Sequence, residues 1–322
     1  MIEFKNVYKD YGQNHALKGI SFKAESGDIL GFLGPNGAGK STALNILTGY
    51  LSATAGEAYV DGISIFENPV EAKKRIGFLP ELPPLYPDMK VGEYLNFVYD
   101  LKGCKLPRKQ HIKEICEVVK IADVEKRLIK NLSKGYRQRV GIAQALIGNP
   151  KVLVFDEPTV GLDPKQIIEI RNLVKLLGKE HTIIISSHIL PEVQQICSRV
   201  VVINEGNIVA DEPIETLAEA VEGPRRLIAK ICGPEAEVLK VLSGVSAIRT
   251  ADVLGRTDGD SISYLIESDE RIDARKPLFS ALASKGYPLI GLEGVEMSLE
   301  DVFVRLVSKK EQRARGRERK GQ

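Results

Sequence analysis

The sequence lacks the features of a membrane-spanning or exported chain. No apolar run in its 322 residues approaches the roughly 18–20 residues that a transmembrane helix needs, and the mean hydropathy is −0.10. The first residues include Glu3 and contain no apolar stretch of the kind that a secretory signal requires. The four cysteines form no CxxC pair, which favours reduced thiols over disulfides or a metal site. These absences predict a soluble, intracellular protein.

An excess of one charge sign is absent except at the carboxyl end. The formal net charge is +2, yet residues 309–322 hold seven Lys and Arg against two Glu, which leaves −3 on the rest of the chain. The body therefore lacks the basic balance of a nucleic-acid binder, and no nucleic-acid partner is expected. We expect the tail to be a disordered, solvated end, with contact to anionic lipid as the alternative.

Up to about residue 215, short apolar segments alternate with helical patterns, which predicts an α/β fold with a parallel sheet covered by helices. Alternation at Ile2–Val7 and Ile20–Ala24, with hairpin signals at Asp61-Gly62 and Gly206-Asn207, predicts a small antiparallel β subdomain. A helical insertion is expected over about residues 82–148. The candidate buried strands, continuous and rich in aliphatic residues, are Ile29–Leu33, Ile76–Leu79, Val152–Phe155, Thr182–Ser186 and Val200–Ile203.

The composition shifts around Glu222-Gly-Pro224, where we place a domain boundary. The predicted division is a first domain over residues 1–220, a smaller α+β domain over 221–308 and the basic tail over 309–322. The second domain has the β-α-β-β-α-β order of the ferredoxin-like split pattern, followed by a last short helix at Leu299–Val307. Its predicted elements are Arg226–Ile231, Glu235–Leu242, Val245–Arg249, Ser261–Ile266, Lys276–Lys285 and Leu289–Glu293.

A glycine-rich loop joins the strand Ile29–Leu33 to a helical pattern at Ala43–Leu47. Its GxxxxGK[ST] spacing in this context predicts a P-loop NTPase core. The glycines let backbone N–H groups turn toward phosphate oxygens at the positive end of a helix. Lys40 can reach the β- and γ-phosphates, and the Ser41 hydroxyl can ligate Mg²⁺. The alternative is a glycine-rich turn with a surface lysine. The loop reads Gly34-Pro35-Asn36-Gly37-Ala38-Gly39-Lys40-Ser41-Thr42.

Two acidic residues follow the apolar strand Val152–Phe155. A buried strand would not tolerate adjacent acids in its interior, so Asp156 and Glu157 are expected at its carboxyl end, where α/β sheets bind ligands. Asp156 suits a second contact to Mg²⁺, and Glu157 can orient and deprotonate an attacking water. Taken alone, such a pair is often only a helix cap. His188, after another strand, could hydrogen-bond the γ-phosphate or be incidental.

These residues, in this order, resemble the nucleotide-binding subunit of ABC transporters over about residues 1–215. The resemblance makes Gly34–Thr42 the Walker A motif and Val152–Glu157 the Walker B motif. His188 resembles the switch histidine, and Tyr11 the aromatic residue that stacks on adenine, with Tyr8 as its competitor. The remaining motif positions are the LSGGQ-like signature at Leu132-Ser133-Lys134-Gly135-Tyr136 and the D-loop at Leu162-Asp163.

Two departures from the family pattern stand out. The signature reads LSKGYRQR, although Ser133 and Gly135, its phosphate-facing positions, remain. Glu81 stands where a glutamine is usual; it keeps an oxygen that can face Mg²⁺ and adds a negative charge. Both departures, and the segment Met297–Phe303, resemble the branch that is partnered with ABC-2-type permeases, including the gliding-motility-associated subunits.

The resemblance implies an ATPase that uses ATP and Mg²⁺ and forms a homodimer around two ATP molecules. It also implies export through a separate integral membrane permease, with this subunit in a peripheral position on the inner face of the cell membrane. One alternative is a soluble ABC-type ATPase that acts on a nucleic-acid or ribosome partner. Two further alternatives are a P-loop kinase or GTPase and a non-catalytic protein with a relic site.

Overall fold

The computed structural model describes residues 1–215, 225–256, 261–268 and 273–295. The chain divides into two compact units, Met1–Ile214 and Glu215–Gln322. The predicted boundary at Glu222-Gly-Pro224, the helix at Leu299–Val307 and the basic tail lie outside the described residues. Within the described ranges, no helix is both long enough and apolar enough to cross a bilayer.

The first unit contains ten strands and seven α-helices among its described residues. In chain order they are β1 (Ile2–Tyr11), β2 (Asn14–Ala24), β3 (Ile29–Leu33), α1 (Lys40–Leu47), β4 (Ala55–Val60), β5 (Ile63–Ser64), α2 (Pro69–Lys74), β6 (Ile76–Leu79), α3 (Val91–Leu101), α4 (Arg108–Val118), α5 (Lys134–Leu146), β7 (Val152–Phe155), α6 (Pro164–Leu177), β8 (Thr182–Ser187), α7 (Leu190–Ile196), β9 (Arg199–Asn204) and β10 (Asn207–Pro213).

A six-stranded sheet in the order β10-β9-β3-β8-β7-β6 forms the centre of this unit. Its strands are parallel except for β10, which returns antiparallel along β9. The continuous apolar segments are buried because helices cover this sheet. The register places Leu33 opposite Ser187, and Phe155 opposite both Ile185 and Leu79. The carboxyl ends of four strands therefore meet at one edge, and the predicted α/β fold with a P-loop core is confirmed.

The predicted antiparallel subdomain is a second sheet, in the order β2-β1-β4-β5. The ring of Phe22 in this sheet lies 4.7 Å from that of Phe4 and 5.4 Å from that of Phe32 in β3. Both sheets and α1 thus share one hydrophobic core. The second hairpin signal does mark a turn between two antiparallel strands, but these strands, β9 and β10, belong to the six-stranded sheet and not to the antiparallel subdomain.

The helical insertion comprises α3, α4 and α5, the first two of which lie where the sequence predicts helices. Lys102, just after α3, stabilises the far end of α5. Its ammonium group donates to the carbonyl oxygens of Gln144 at 3.0 Å, Ala145 at 3.2 Å and Ile147 at 2.9 Å. These carbonyls lie at the carboxyl end of a helix, where the last carbonyl groups lack donors four residues further along the helix. Burial lowers the pKa of Lys102 to about 8.

The second unit contains β11 (Arg225–Cys232), α8 (Glu235–Ser243), β12 (Ile248–Arg256), β13 (Ser261–Ser268), α9 (Arg275–Ser284) and β14 (Leu289–Val295). Its antiparallel sheet has the order β12-β13-β11-β14, and this arrangement is ferredoxin-like, as predicted. The strand predicted at Val245–Arg249 is displaced, because Val245 and Ala247 are buried in a turn against Ala274 before the strand begins.

Candidate functional site

The motifs predicted from the sequence meet at the edge formed by the carboxyl ends of the parallel strands. A cleft of about 830 Å³ opens there, entirely within the first unit. Glu157 and His188 line it directly after β7 and β8, and Glu81 lines it after β6. Tyr11, the predicted adenine-stacking residue, also lines the cleft. The phosphate-loop residues that line it are Asn36, Gly37, Gly39, Lys40, Ser41 and Thr42.

The phosphate loop is shaped by its glycines and by backbone contacts. Gly39 has a φ of 109°, and a Cβ atom there would lie 2.8 Å from the carbonyl oxygen of Ala16. A Cβ atom on Gly34 would lie 2.3 Å from the carbonyl oxygen of Ile203. The N–H of Gly206, in the turn between β9 and β10, donates to the carbonyl of Ala38 at 3.0 Å. Only glycine fits at positions 34 and 39, and these glycines let the backbone of the loop curve beside the start of α1.

Lys40 lies across its own loop. Its side chain is only 6% exposed, and its ammonium group donates to the carbonyl oxygens of Gly34 at 2.7 Å and Pro35 at 3.2 Å. The same nitrogen is 3.4 Å from Oε1 of Glu157. A positive charge is therefore held at the centre of the loop, where a phosphate group would compete for it.

The two acids differ in their surroundings. Asp156 is buried, and its Oδ1 accepts a 2.6 Å hydrogen bond from the hydroxyl of Ser186. Glu157 is also buried, its carboxylate lies 3.0 Å from Nδ1 of His188, and its N–H donates to Ser186 Oγ at 2.8 Å. Sequence reasoning missed Ser186, although a serine at the end of a buried strand beside the acids is a usable signal. The Asp156 carboxylate is thus oriented by the Ser186 hydroxyl, and the Glu157 carboxylate by its contact with His188.

Ser133 and Gly135 do not line the cleft. Ser133 is the N-cap of α5, where its Oγ accepts a 3.4 Å hydrogen bond from the N–H of Tyr136. A Cβ atom on Gly135 would lie 2.7 Å from the side chain of Gln166 in α6. Asp163, the N-cap of that helix, accepts from the N–H of Gln166 at 2.9 Å. The signature residues thus lie beside the D-loop segment and not with the phosphate loop of the same chain.

The two tyrosines that are candidates for stacking on adenine differ in their position relative to the cleft. Tyr11 lines the cleft, is 47% exposed and has the ammonium group of Lys9 5.1 Å from its ring centre. Tyr8 is not part of the lining, and its ring packs on Gly19, where a Cβ atom would lie 2.6 Å from it. Sequence reasoning gave no role in the site to the seven other lining residues, which lie on nearby turns and strands: Asn14, His15, Ala16, Lys18, Val160, Glu205 and Gly206.

Comparison with known proteins identifies the family. Residues 17–160 match the family model described as ABC transporter. Bacitracin transport ATP-binding protein BcrA of Bacillus licheniformis is 32% identical over 309 residues, which cover 95% of this chain and 97% of that protein. The chain belongs to the ABC transporter family. Nod factor export ATP-binding protein I of Burkholderia orbicola is 32% identical to this ABC subunit, over 97% of this chain and 98% of that protein.

Solved structures agree with this assignment. The dimeric structure of MJ0796, a bacterial ABC transporter cassette, has a TM-score of 0.61 and 29% identity, and covers 66% of this chain and 99% of that chain. MJ0796 bound to ADP and Pi, described as a post-hydrolysis state, has a TM-score of 0.60 and 27% identity. The present chain is therefore an ATP-binding subunit of an ABC transporter, and its enzymatic activity is ATP hydrolysis.

Oxygen donors of the kind that magnesium takes lie around the cleft of this ABC subunit, beside the phosphate loop. Among the described residues, no group of three or more His, Cys, Asp or Glu could hold a metal ion. Ser41 and Glu81 line the cleft, whereas Asp156 is 4% exposed and is not part of the lining. Mg²⁺ in nucleotide sites takes one or two protein oxygens together with phosphate and water oxygens. A hydroxyl and a carboxylate beside a phosphate loop are donors of that kind.

Proposed function

We propose that two copies of this chain enclose two ATP molecules and that their closure and reopening drive export through a separate membrane permease. The observation that carries the proposal is the position of Ser133 and Gly135, which lie outside the cleft at the amino end of α5. The positive end of a helix suits a γ-phosphate. Since the chain's own cleft already has such an end at α1, the second end is explained by an ATP molecule held on a partner copy.

Within each site we assign one role to each group that the cleft brings together. Glu157 is the general base that accepts a proton from the attacking water, and His188 contacts the γ-phosphate. Lys40 binds the β- and γ-phosphates, Tyr11 stacks on adenine, and the N–H groups of the phosphate loop surround the phosphate oxygens. Ser41 and Asp156 would hold Mg²⁺, with Glu81 as a further candidate ligand, and the bound ion would supply positive charge beside the phosphates.

The proposal of a permease partner of the ABC-2 type, and of a place on the inner face of the membrane, rests on the departures at Glu81 and in the signature. The relative named for Nod factor export supports transport out of the cell, and the relative named for bacitracin transport supports a role in transport. A docking surface for the permease is available on the loop before α3. Leu82 is 80% exposed there, and the ring of Tyr86, 52% exposed, rests 5.5 Å from Phe97. Exposed apolar groups of this kind favour a protein partner.

A mixed dimer tests the shared site. Lys40→Ala and Ser133→Arg, made in separate chains, should each abolish ATP hydrolysis. In a dimer that contains one chain of each kind, one site carries both defects and the other site is intact. Random assortment makes half of the dimers mixed, so up to roughly a quarter of wild-type activity should return if the sites act independently.

The measurement is the ATPase rate of a co-expressed equal mixture, with mixed dimers verified by differently tagged chains. Ser133→Ala, which removes only the hydroxyl, is the control for the bulk of the arginine. Recovery is incompatible with a site confined to one chain. Absence of recovery in verified mixed dimers would contradict two independent shared sites.

A further inference from the structure

A buried hydrogen bond outside the nucleotide motifs joins two segments of the site. The hydroxyl of Thr159 donates to Oε2 of Glu192 at 2.6 Å, and both residues are buried, at 5% and 7% exposure. A carboxylate is costly to bury unless it is hydrogen-bonded, and a hydrogen bond to a charged acceptor is stronger than a neutral one. The contact is therefore a firm link and not an incidental surface approach.

This link lies in parallel with the contact between the two proposed catalytic side chains. Thr159 follows Glu157 by two residues, and Glu192 follows His188 by four, in the first turn of α7. The Glu157 carboxylate and His188 Nδ1 are 3.0 Å apart. The segment after β7 and the segment after β8 are consequently tied at two points, once inside the cleft and once behind it.

The backbone of Glu157 needs such support. Its φ of 47° lies in the left-handed region, which non-glycine residues occupy only when surrounding contacts enforce it. The turn that follows is closed by the N–H of Val160, which donates to the Glu157 carbonyl at 3.2 Å, and by that of Leu162, which donates to the Thr159 carbonyl at 3.2 Å. Both of these bonds are internal to the turn. The Thr159 hydroxyl ties the turn to α7.

We propose that Glu192 is a positioning residue that acts through Thr159 to fix the Glu157 carboxylate relative to His188. The inference rests on the catalytic roles proposed above for these two side chains. When His188 turns from Glu157 toward a γ-phosphate, the contact inside the cleft is lost and the bond behind it remains. Glu192 then keeps the general base and the switch histidine in register during the change.

Substitution of Thr159 separates positioning from simple stability. Thr159→Val keeps the shape and removes the hydroxyl, so kcat should fall at least ~10-fold while KM for ATP changes less than ~3-fold, as expected when only transition-state geometry suffers. Thr159→Ser keeps the donor and should stay within ~3-fold of wild-type kcat. The same comparison can be made at Glu192: Glu192→Met removes the acceptor for the Thr159 hydroxyl, and Glu192→Gln keeps one. This pair of variants replaces the Thr159 pair if Thr159→Val does not fold.

Asp211→Asn is the matched control for stability, because Asp211 accepts two hydrogen bonds from Arg199 at 2.7 and 2.6 Å between β9 and β10. It should lower the thermal midpoint and leave kcat unchanged. The ¹⁵N shifts of the His188 ring report its environment directly, and the chain has only four histidines. They should move in Thr159→Val and stay in place in Thr159→Ser and Asp211→Asn.

Wild-type kcat in Thr159→Val, equal losses in the valine and serine variants, or unmoved His188 signals would each overturn the inference. Glu157→Gln, measured in parallel, distinguishes this failure from a failure of the proposed roles. If Glu157→Gln loses turnover and Thr159→Val does not, Glu157 keeps its role and only the positioning by Glu192 is wrong.

Discussion

The Glu157 carboxylate is shared between two positively polarised groups. Lys40 Nζ lies 3.4 Å from it and His188 Nδ1 lies 3.0 Å from it, in surroundings that leave the residue 7% exposed. On the proposed roles, both groups also bind the γ-phosphate. An arriving nucleotide therefore draws them away from the glutamate, and the oxygens that they release become free to accept a hydrogen bond from water. On these proposed roles, the binding of ATP itself frees the Glu157 carboxylate to act as the base.

Replacing this carboxylate with an amide should separate binding from turnover. We expect Glu157→Gln to bind ATP with an affinity close to wild type and to lower kcat at least ~10²-fold, since general-base catalysis is typically worth that much. Equilibrium binding of a fluorescent ATP analogue and steady-state phosphate release measure the two quantities. Glu180→Gln, an exposed glutamate before β8, is the control for the chemical change. A variant that hydrolyses ATP at nearly the wild-type rate would show that another group accepts the proton.

Among single residues, the sequence predicts those that belong to a motif of a few consecutive positions. The phosphate loop and the Asp156-Glu157 pair are of this kind, because one strand end and one turn place them. The sequence ranks Tyr11 above Tyr8 only through the family resemblance, because no local pattern contains the packing of Tyr8 on Gly19. The bond from Thr159 to Glu192 joins positions 33 residues apart through a long-range contact, and its two residue types have no distinctive spacing.

Among the elements, α3 and α5 are linked by the hydroxyl of Tyr94, which donates to the side chain of Gln144, and by the ammonium group of Lys102. Lys102 follows α3 and donates to three carbonyls at the end of α5. Ser133 caps the other end of α5, so this helix has a polar side chain at each terminus. Because Ser133 belongs to the signature, a loose carboxyl end of α5 would loosen the element that faces a partner's nucleotide in the proposed dimer.

The lowered pKa of Lys102 predicts a pH dependence of stability. Its folded-state pKa of about 8 lies below the ordinary lysine pKa of 10.5, so between these pH values the unfolded chain binds more protons than the folded chain. The free energy of unfolding of the wild type, relative to that of Lys102→Met, should therefore rise with pH in this window, by up to ~1.4 kcal/mol for each pH unit. Below pH 8 the difference should level off.

Urea unfolding of both proteins at pH 7, 8, 9 and 10 measures this difference. Lys113→Met is the matched control, because Lys113 is a lysine on the exposed surface of α4 with its side chain 77% exposed. Its difference from wild type should show no such rise. A constant difference between wild type and Lys102→Met from pH 8 to 10 would contradict the prediction.

Element positions follow from the sequence where burial is continuous. The strands of the parallel sheet are apolar throughout because helices cover them, and the predicted bounds of β3, β6 and β7 agree with the structure. The start of β12 could not be found in this way. Val245 and Ala247 are apolar because they are buried in a turn, and their pattern is indistinguishable from that of a strand until Ala274 is placed against them.

For the whole molecule, every residue that lines the cleft lies in the unit Met1–Ile214. This unit has its own sheets and its own hydrophobic core, and the core of the second unit is likewise built only from residues of that unit. We propose that the second unit regulates the ATPase or stabilises the dimer and takes no part in the chemistry.

A chain that ends at Glu222 tests this division. It should bind ATP within ~3-fold of the full-length affinity, because no binding group is removed. Circular dichroism and a cooperative thermal transition establish that the shortened chain is folded, and its dimerisation constant and ATPase rate report the role of the missing unit. Loss of ATP binding in a folded shortened chain would place part of the nucleotide site in the second unit.

The position of β3 at the centre of the sheet has a consequence for biosynthesis. This strand carries the phosphate loop, yet its two neighbours come from late in the unit: Ile29 pairs with Ile183 of β8, and Leu30 with Arg199 of β9. A nascent chain that has left the ribosome only as far as Glu180 exposes the entire phosphate loop and neither neighbouring strand. Contacts of such long sequence separation form slowly, and unpaired strand edges invite aggregation meanwhile. The phosphate loop is thus translated well before the two strands that complete the sheet around it.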